Sequence, residues 1–164
     1  MSLITSITSV SLYNMCAYNK PLIVLTNDDG IGSPGLLAAA HALSPLGRVL
    51  VVAPREQQSG SGRSIPSSSD GVILELSKVV NQDDWTVYAV GGSPAQAVQR
   101  ALFEIADRKP ELVVAGINYG ENVGSGITIS GTVGAALEGA SFGIPALAVS
   151  LEMDLSYHLS HSEE

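Results

Sequence analysis

Apolar and polar positions alternate in blocks along this chain. Residues 22–25 are apolar and largely branched, and the chain turns polar directly after them. That pattern predicts a buried strand. A helix is predicted over residues 34–43, with Leu36, Leu37, Ala40 and Leu43 at helical spacing and Pro45 and Gly47 closing it. Residues 49–53 read as a second buried, parallel strand. Residues 72–79 and 85–90, separated by Asp83 and Asp84, read as a hairpin-like excursion with Glu75 and Lys78 facing solvent. Gly91-Gly92-Ser93-Pro94 offers a glycine turn, a capping serine and a first-turn proline, and predicts a helix over residues 95–106. Residues 112–115 form a further buried strand. A small-residue helix over 133–142 follows, opened by Ser130-Gly131-Thr132, and residues 146–151 make the last strand. Strands and helices alternate through short connections. The expected architecture is therefore α/β, a three-layer α/β/α Rossmann-like and mostly parallel sheet.

The two ends lack this pattern. Residues 1–19 carry no charged side chain, and serine and threonine interrupt their apolar positions. The basic start and unbroken apolar middle of a secretory signal are missing. We read residues 1–20 as a flexible N-terminal extension, 21–151 as a single domain and 152–164 as a polar tail. His158 and His161 lie three apart in that tail and read as part of a frayed end, not as a metal site. His41, inside the first helix, is assigned no role.

Composition narrows the class of function. A hydrophobic fraction of 45% and a mean hydropathy of +0.26 fit buried parallel strands and not disorder. A net charge of −8 and a pI near 4.7 argue against binding nucleic-acid polymers or anionic membranes. They leave open a small phosphorylated ligand held through a metal. The single cysteine, Cys16, cannot form an intrachain disulfide, which fits a reducing, cytoplasmic setting. No apolar run reaches the roughly 18 residues of a membrane span.

The chemistry concentrates after the first strand, at Thr26-Asn27-Asp28-Asp29-Gly30-Ile31-Gly32-Ser33-Pro34-Gly35. This reads as strand, acidic turn and helix, with Ser33 as hydroxyl cap. Gly30 is expected at positive φ, where glycine alone is comfortable. The glycines also match G-x-G-x-x-G, the dinucleotide fingerprint. Charge argues against that reading. A pyrophosphate would lie against Asp28 and Asp29, and like charges ~4 Å apart repel by about 4 kcal/mol at an effective dielectric near 20. A divalent cation removes the conflict, because hard oxygen ligands hold Mg²⁺ and Mg²⁺ holds phosphate.

Three more polar segments follow strand ends or open helices. Residues 54–64 are Gly/Ser-rich and contain Arg55 and Arg63. They read equally as a flexible loop or as a cradle for an anion or metal, with one arginine near phosphate. Residues 116–124 are rich in glycine and amides, and the free N–H groups at 130–132 can take an anion. All four turns are expected to gather on one edge of the sheet.

As a set, these residues resemble the SurE (stationary-phase survival protein) nucleotidases. The resemblance rests on Thr26-Asn27-Asp28-Asp29-Gly30, Gln58-Ser59-Gly60, Gly116-Ile117-Asn118-x-Gly120-x-Asn122 and Ser130-Gly131-Thr132-Val133, in that order. It covers about residues 21 to 151. It implies a divalent-metal-dependent phosphomonoesterase acting on nucleoside monophosphates (a 5′/3′-nucleotidase). One Mg²⁺ or Mn²⁺ would be held by Asp28, Asp29, Ser59 and Asn118, and the substrate phosphate would lie against Ser130, Gly131 and Thr132. Asp28, Asp29 and Asn118 would then carry the catalysis through a metal-bound or metal-oriented water. Two positions depart from the family pattern: Ala115 where a serine is usual and Ile129 where a tyrosine is usual. The family's C-terminal region is also missing, and a homodimer or higher oligomer is expected. Two alternatives remain, a truncated non-catalytic metal or nucleotide binder and an NAD(P)-binding Rossmann protein.

Overall fold

The computed structural model of the chain describes residues 20–80 and 82–152. The expected extension at 1–20, apart from Lys20, and the tail with His158 and His161 lie outside the described residues.

Among the described residues, six strands form one sheet: β1 (Leu22–Thr26), β2 (Arg48–Pro54), β3 (Ile73–Val80), β4 (Asp83–Val90), β5 (Leu112–Tyr119) and β6 (Ala146–Leu151). Their order is β3-β4-β2-β1-β5-β6. Only the β3–β4 hairpin is antiparallel; every other neighbouring pair is parallel. The helices are α1 (Pro34–Leu43), α2 (Pro94–Arg100), the four-residue α3 (Gly126–Ile129) and α4 (Gly131–Ser141). The expected layered sheet is therefore present.

Side-chain alternation along β1 shows how the layers form. Ile23 and Leu25 join Leu36, Ala39 and Ala40 of α1 in one core. Val24 faces the other way, into a core with Ala97 and Val98 of α2 and Ala135 and Ala136 of α4. Such two-sided burial is what a central parallel strand requires. The helix over 95–106 is not uniform: α2 ends at Arg100 and continues as a π-helical turn, Ala101–Ile105. Its start is as expected, with Ser93 Oγ accepting from Gln96 N and Gln96 Oε1 accepting from Ser93 N. Ser33 differs from expectation: its side chain makes no cap hydrogen bond, although Ser93, which is also followed by a proline at the first helical position, does.

The topology creates a crevice. From β1 the chain runs through α1 to β2 on one side, while β5, reached through α2, pairs on the other side of β1. Ligands of open α/β sheets bind at such a reversal of strand order, beyond the carboxyl ends. At the far edge, β6 pairs with β5 alone among the described strands and exposes Leu147 and Leu151. No helix among the described residues is long and apolar enough to cross a membrane.

Small residues set how closely α4 lies on β5. A Cβ added to Gly139 would stand 2.7 Å from Val113 Cγ2, inside the core. Gly139→Ala should therefore destabilise the fold by about 1–3 kcal/mol, read as a lower urea midpoint at unchanged slope.

Candidate functional site

The end of β1 delivers Asp28 into the interior, where it is only 5% exposed. A buried carboxylate is costly unless hydrogen-bonded, and its partner is Thr132 Oγ1, which donates to Asp28 Oδ1 from the first turn of α4. The approach depends on Gly131. A Cβ there would lie 2.7 Å from Asp28 Cβ and 2.7 Å from Ser61 Oγ. Asp29 is half-buried, and its Oδ2 accepts from Tyr119 N at 3.3 Å.

Gly30 has φ +93°, as expected of this turn, and its Cα faces the Glu56 backbone. The turn is tied to β2 by Ile31 N donating to Pro54 O. Gly35 closes the fingerprint spacing, but for a different purpose: a Cβ there would stand 2.2 Å from Ile117 O. It lets α1 approach β5. That role explains the third glycine without a pyrophosphate.

The loop after β2 arches over the same edge. Gln58 N donates to Asp28 O at 2.7 Å, and Gly62 N donates to Ile129 O at 2.9 Å. Ser59 lies between these anchors, exposed, with its Oγ accepting from Gln57 Nε2. The segment is thus a fastened arch and not a free loop. Neither of its arginines is turned to the helix start: Arg55 pairs with Asp70 and Arg63 with Glu138. The arginine that the cradle reading placed near phosphate is, for either residue, engaged in an ion pair in this structure.

Asn118 is aimed by a bulge. Between Ala115 and Asn118 the register with β6 slips by one residue, where Gly116 has φ +133° and its Cα crowds Val149 O. Bulges next to functional sites re-aim side chains in this way. Asn118 Nδ2 donates to Gly120 O, which engages the amide nitrogen and leaves Oδ1 as the atom available to accept or to serve as a ligand. At the start of α4, Ser130 Oγ accepts from Val133 N and Ser130 O from Gly134 N. The N–H groups of Gly131 and Thr132 have no partner within the helix, as at any helix start, and can hold an anion.

The structure thus brings Asp28, Asp29, Asn118 and residues 130–132 to one edge, with Ser59 on the arch above. Sequence reasoning missed Ser61, whose hydroxyl is buried beside Gly131 without a hydrogen-bond partner. Thr26 Oγ1 and Asn27 Oδ1 are in the same state. Buried unsatisfied oxygens clustered at a site call for water or an ion. No group of three or more His, Cys, Asp or Glu side chains suited to a metal occurs among the described residues. A cation here would need neutral oxygens beside the two carboxylates, and this donor set of hard oxygens suits Mg²⁺ or Mn²⁺.

Next to this edge lies a cavity of about 370 Å³, walled by Arg55, Glu56, Gln58, Asp70, Gly91 and Gly92 among others. The Val72 N–H and then the Arg55 guanidinium hold the Asp70 carboxyl below its usual range.

The family model described as Survival protein SurE matches residues 23–164. A protein named 5′-nucleotidase SurE from Methanothermobacter thermautotrophicus is 45% identical over 143 residues, which is 85% of this chain and 53% of that protein. Its namesake from Methanopyrus kandleri is 53% identical over 131 residues, 80% of this chain and 49% of its own. Among solved structures, the SurE protein from Aquifex aeolicus superposes with a TM-score of 0.67 at 40% identity, covering 82% of this chain and 52% of that one. The chain spans about half the length of the curated relatives it matches.

The link between Asp28 and Thr132 gives a direct test. Thr132→Val keeps the shape and removes the donor to a buried carboxylate, so about 1–3 kcal/mol of unfolding free energy should be lost. Urea denaturation of metal-free protein measures it, and Thr132→Ser should recover most of the difference.

Proposed function

This chain belongs to the SurE family, and on that premise we propose that it hydrolyses nucleoside monophosphates to nucleoside and inorganic phosphate with one divalent cation, Mg²⁺ or Mn²⁺. The observation that carries the reading is the contact between Thr132 and the buried Asp28, which sets an acidic turn against the anion-binding start of a helix. Two carboxylates alone repel phosphate, and a helix start alone attracts any anion. Side by side they suit a phosphate that arrives with a cation.

Asp28, Asp29, Ser59 and Asn118 would hold the cation, which supplies charge neutralisation and a more acidic water. The N–H groups of Gly131 and Thr132 bind phosphate oxygens and stabilise the charge that gathers on them in the transition state. A water oxygen bonds to phosphorus as the ester P–O bond breaks, and the proton that water gives up ends on the departing nucleoside oxygen, so that nucleoside and hydrogen phosphate leave. The cavity beside Gln58, at about 370 Å³, has the volume for a nucleoside. The relatives' name, 5′-nucleotidase, supports this substrate class.

A second reading is that the same oxygen donors and helix start bind metal and nucleotide without turnover. Phosphate release from a panel of nucleoside monophosphates, with Mg²⁺, Mn²⁺ or EDTA, separates the two. Asp28→Asn should weaken Mn²⁺ binding at least tenfold in calorimetric titration and abolish most phosphate release. Equal Mn²⁺ affinity in the mutant would refute the assignment of Asp28 as a ligand.

We also propose that the chain self-associates through β6. Its outer edge is unpaired among the described strands, and Leu147, Leu151 and nearby Leu137 are exposed. Open edges and apolar patches both favour association. Light scattering after size exclusion should give at least a dimer mass that falls on dilution; a monodisperse monomer at high concentration would refute it.

A further inference from the structure

We propose that Glu138 is a positioning residue for the metal site, acting through Arg63 to hold the Ser59 arch in place; this rests on the metal-site reading above. Glu138 lies two turns down α4, about 12 Å from Ser130 at 1.5 Å per residue. Its carboxylate is almost wholly buried, at 3% exposure. Both oxygens are engaged: Oε2 accepts from Arg63 Nε at 2.6 Å and Oε1 from Gln99 Nε2 at 2.8 Å. One buried anion therefore joins three segments: the arch, α2 and α4.

The arch is laid along a single face of α4. Ser61 Oγ meets the helix at Gly131, the backbone of Gly62 and Arg63 meets it at Gly134, and the Arg63 side chain meets it at Glu138. A Cβ on Gly134 would stand 2.2 Å from Gly62 O. Positions 131, 134 and 138 are spaced three and four apart, which places them on one side of a helix. The first two contacts are close packing without a charged group. The third is an ion pair whose carboxylate is desolvated, so breaking it leaves a costly unpaired charge.

Ser59 sits between two fastenings. On one side Gln58 N is bound to Asp28 O; on the other are Gly62 N on Ile129 O and Arg63 on Glu138. Gly60 and Gly62, both at positive φ, give the intervening chain little stiffness of its own. The tether holds the arch in register with the helix that carries Gly131 and Thr132, and so sets how far Ser59 stands from Asp28. Residues that orient metal ligands from behind typically change metal affinity by about 10–100-fold when altered.

The test is calorimetric Mn²⁺ titration together with urea unfolding of the metal-free protein, for wild type, Glu138→Gln, Arg63→Met and the double variant. Each single variant should raise the Mn²⁺ Kd by about tenfold. The double variant should bind no more weakly than the worse single, because both remove one contact. Arg63→Lys should recover part of the affinity. If Arg63→Met, which strands the buried Glu138 carboxylate, does not fold, Glu138→Gln and the double variant, which leave no unpaired buried charge, carry the same test. Folded variants with a lower urea midpoint but wild-type Mn²⁺ affinity would show a purely structural ion pair and overturn the proposal. A wild type that binds no Mn²⁺ would overturn the metal-site reading itself, and the tether with it.

Discussion

The structure depends on a carboxylate buried at the end of its central strand. Asp28 is almost enclosed, and the hydroxyl of Thr132, 104 residues later, donates to it. An unpaired buried carboxylate would cost several kcal/mol. The end of β1 and the start of α4 are therefore held to one relative position. Gly131 has no side chain because Asp28 and Ser61 occupy the space a Cβ would need. The arch after β2 passes over this junction and is fastened to both sides, by Gln58 on Asp28 and Gly62 on Ile129.

The same constraint shapes the chemistry. The reversal of strand order between β1 and β5 opens a crevice, and the bulge at Gly116 turns Asn118 toward it. Oxygen donors and backbone N–H groups meet there, whereas the arginines of the arch pair with Asp70 and Glu138. The small residues of α4 serve both ends of this arrangement, letting the helix reach Asp28 at one end and lie on Val113 at the other.

Much of this was legible in the sequence, because strand and helix periodicity, glycine turns and capping residues are local signals. Runs such as residues 22–25 record burial on both faces. The capping box at Ser93 and the positive φ of Gly30 follow from residue type and immediate neighbours. Asp28, Asp29 and the polar turns were identifiable from where strands end and helices begin, whereas Ser59 and Asn118 were singled out only by the family resemblance. Ser33 misled, because a serine before a proline marks a helix start without fixing where its hydroxyl turns.

The sequence by itself determined the alternation of elements, the polar turns at strand ends and the acidic pair that closes the first strand. Only the tertiary structure decided which partners these groups have. Nothing local distinguishes Glu138 from a solvated glutamate on a helix, or Arg63 from a free cation in a Gly/Ser loop. Their pairing arises because α4 packs against the arch across 75 residues of sequence separation. Likewise Gly35 belongs to a fingerprint in sequence and to a helix–strand contact in space, where Ile117 O fills the place of its absent Cβ. Periodicity records whether a side chain is buried; the packing of distant segments decides against what.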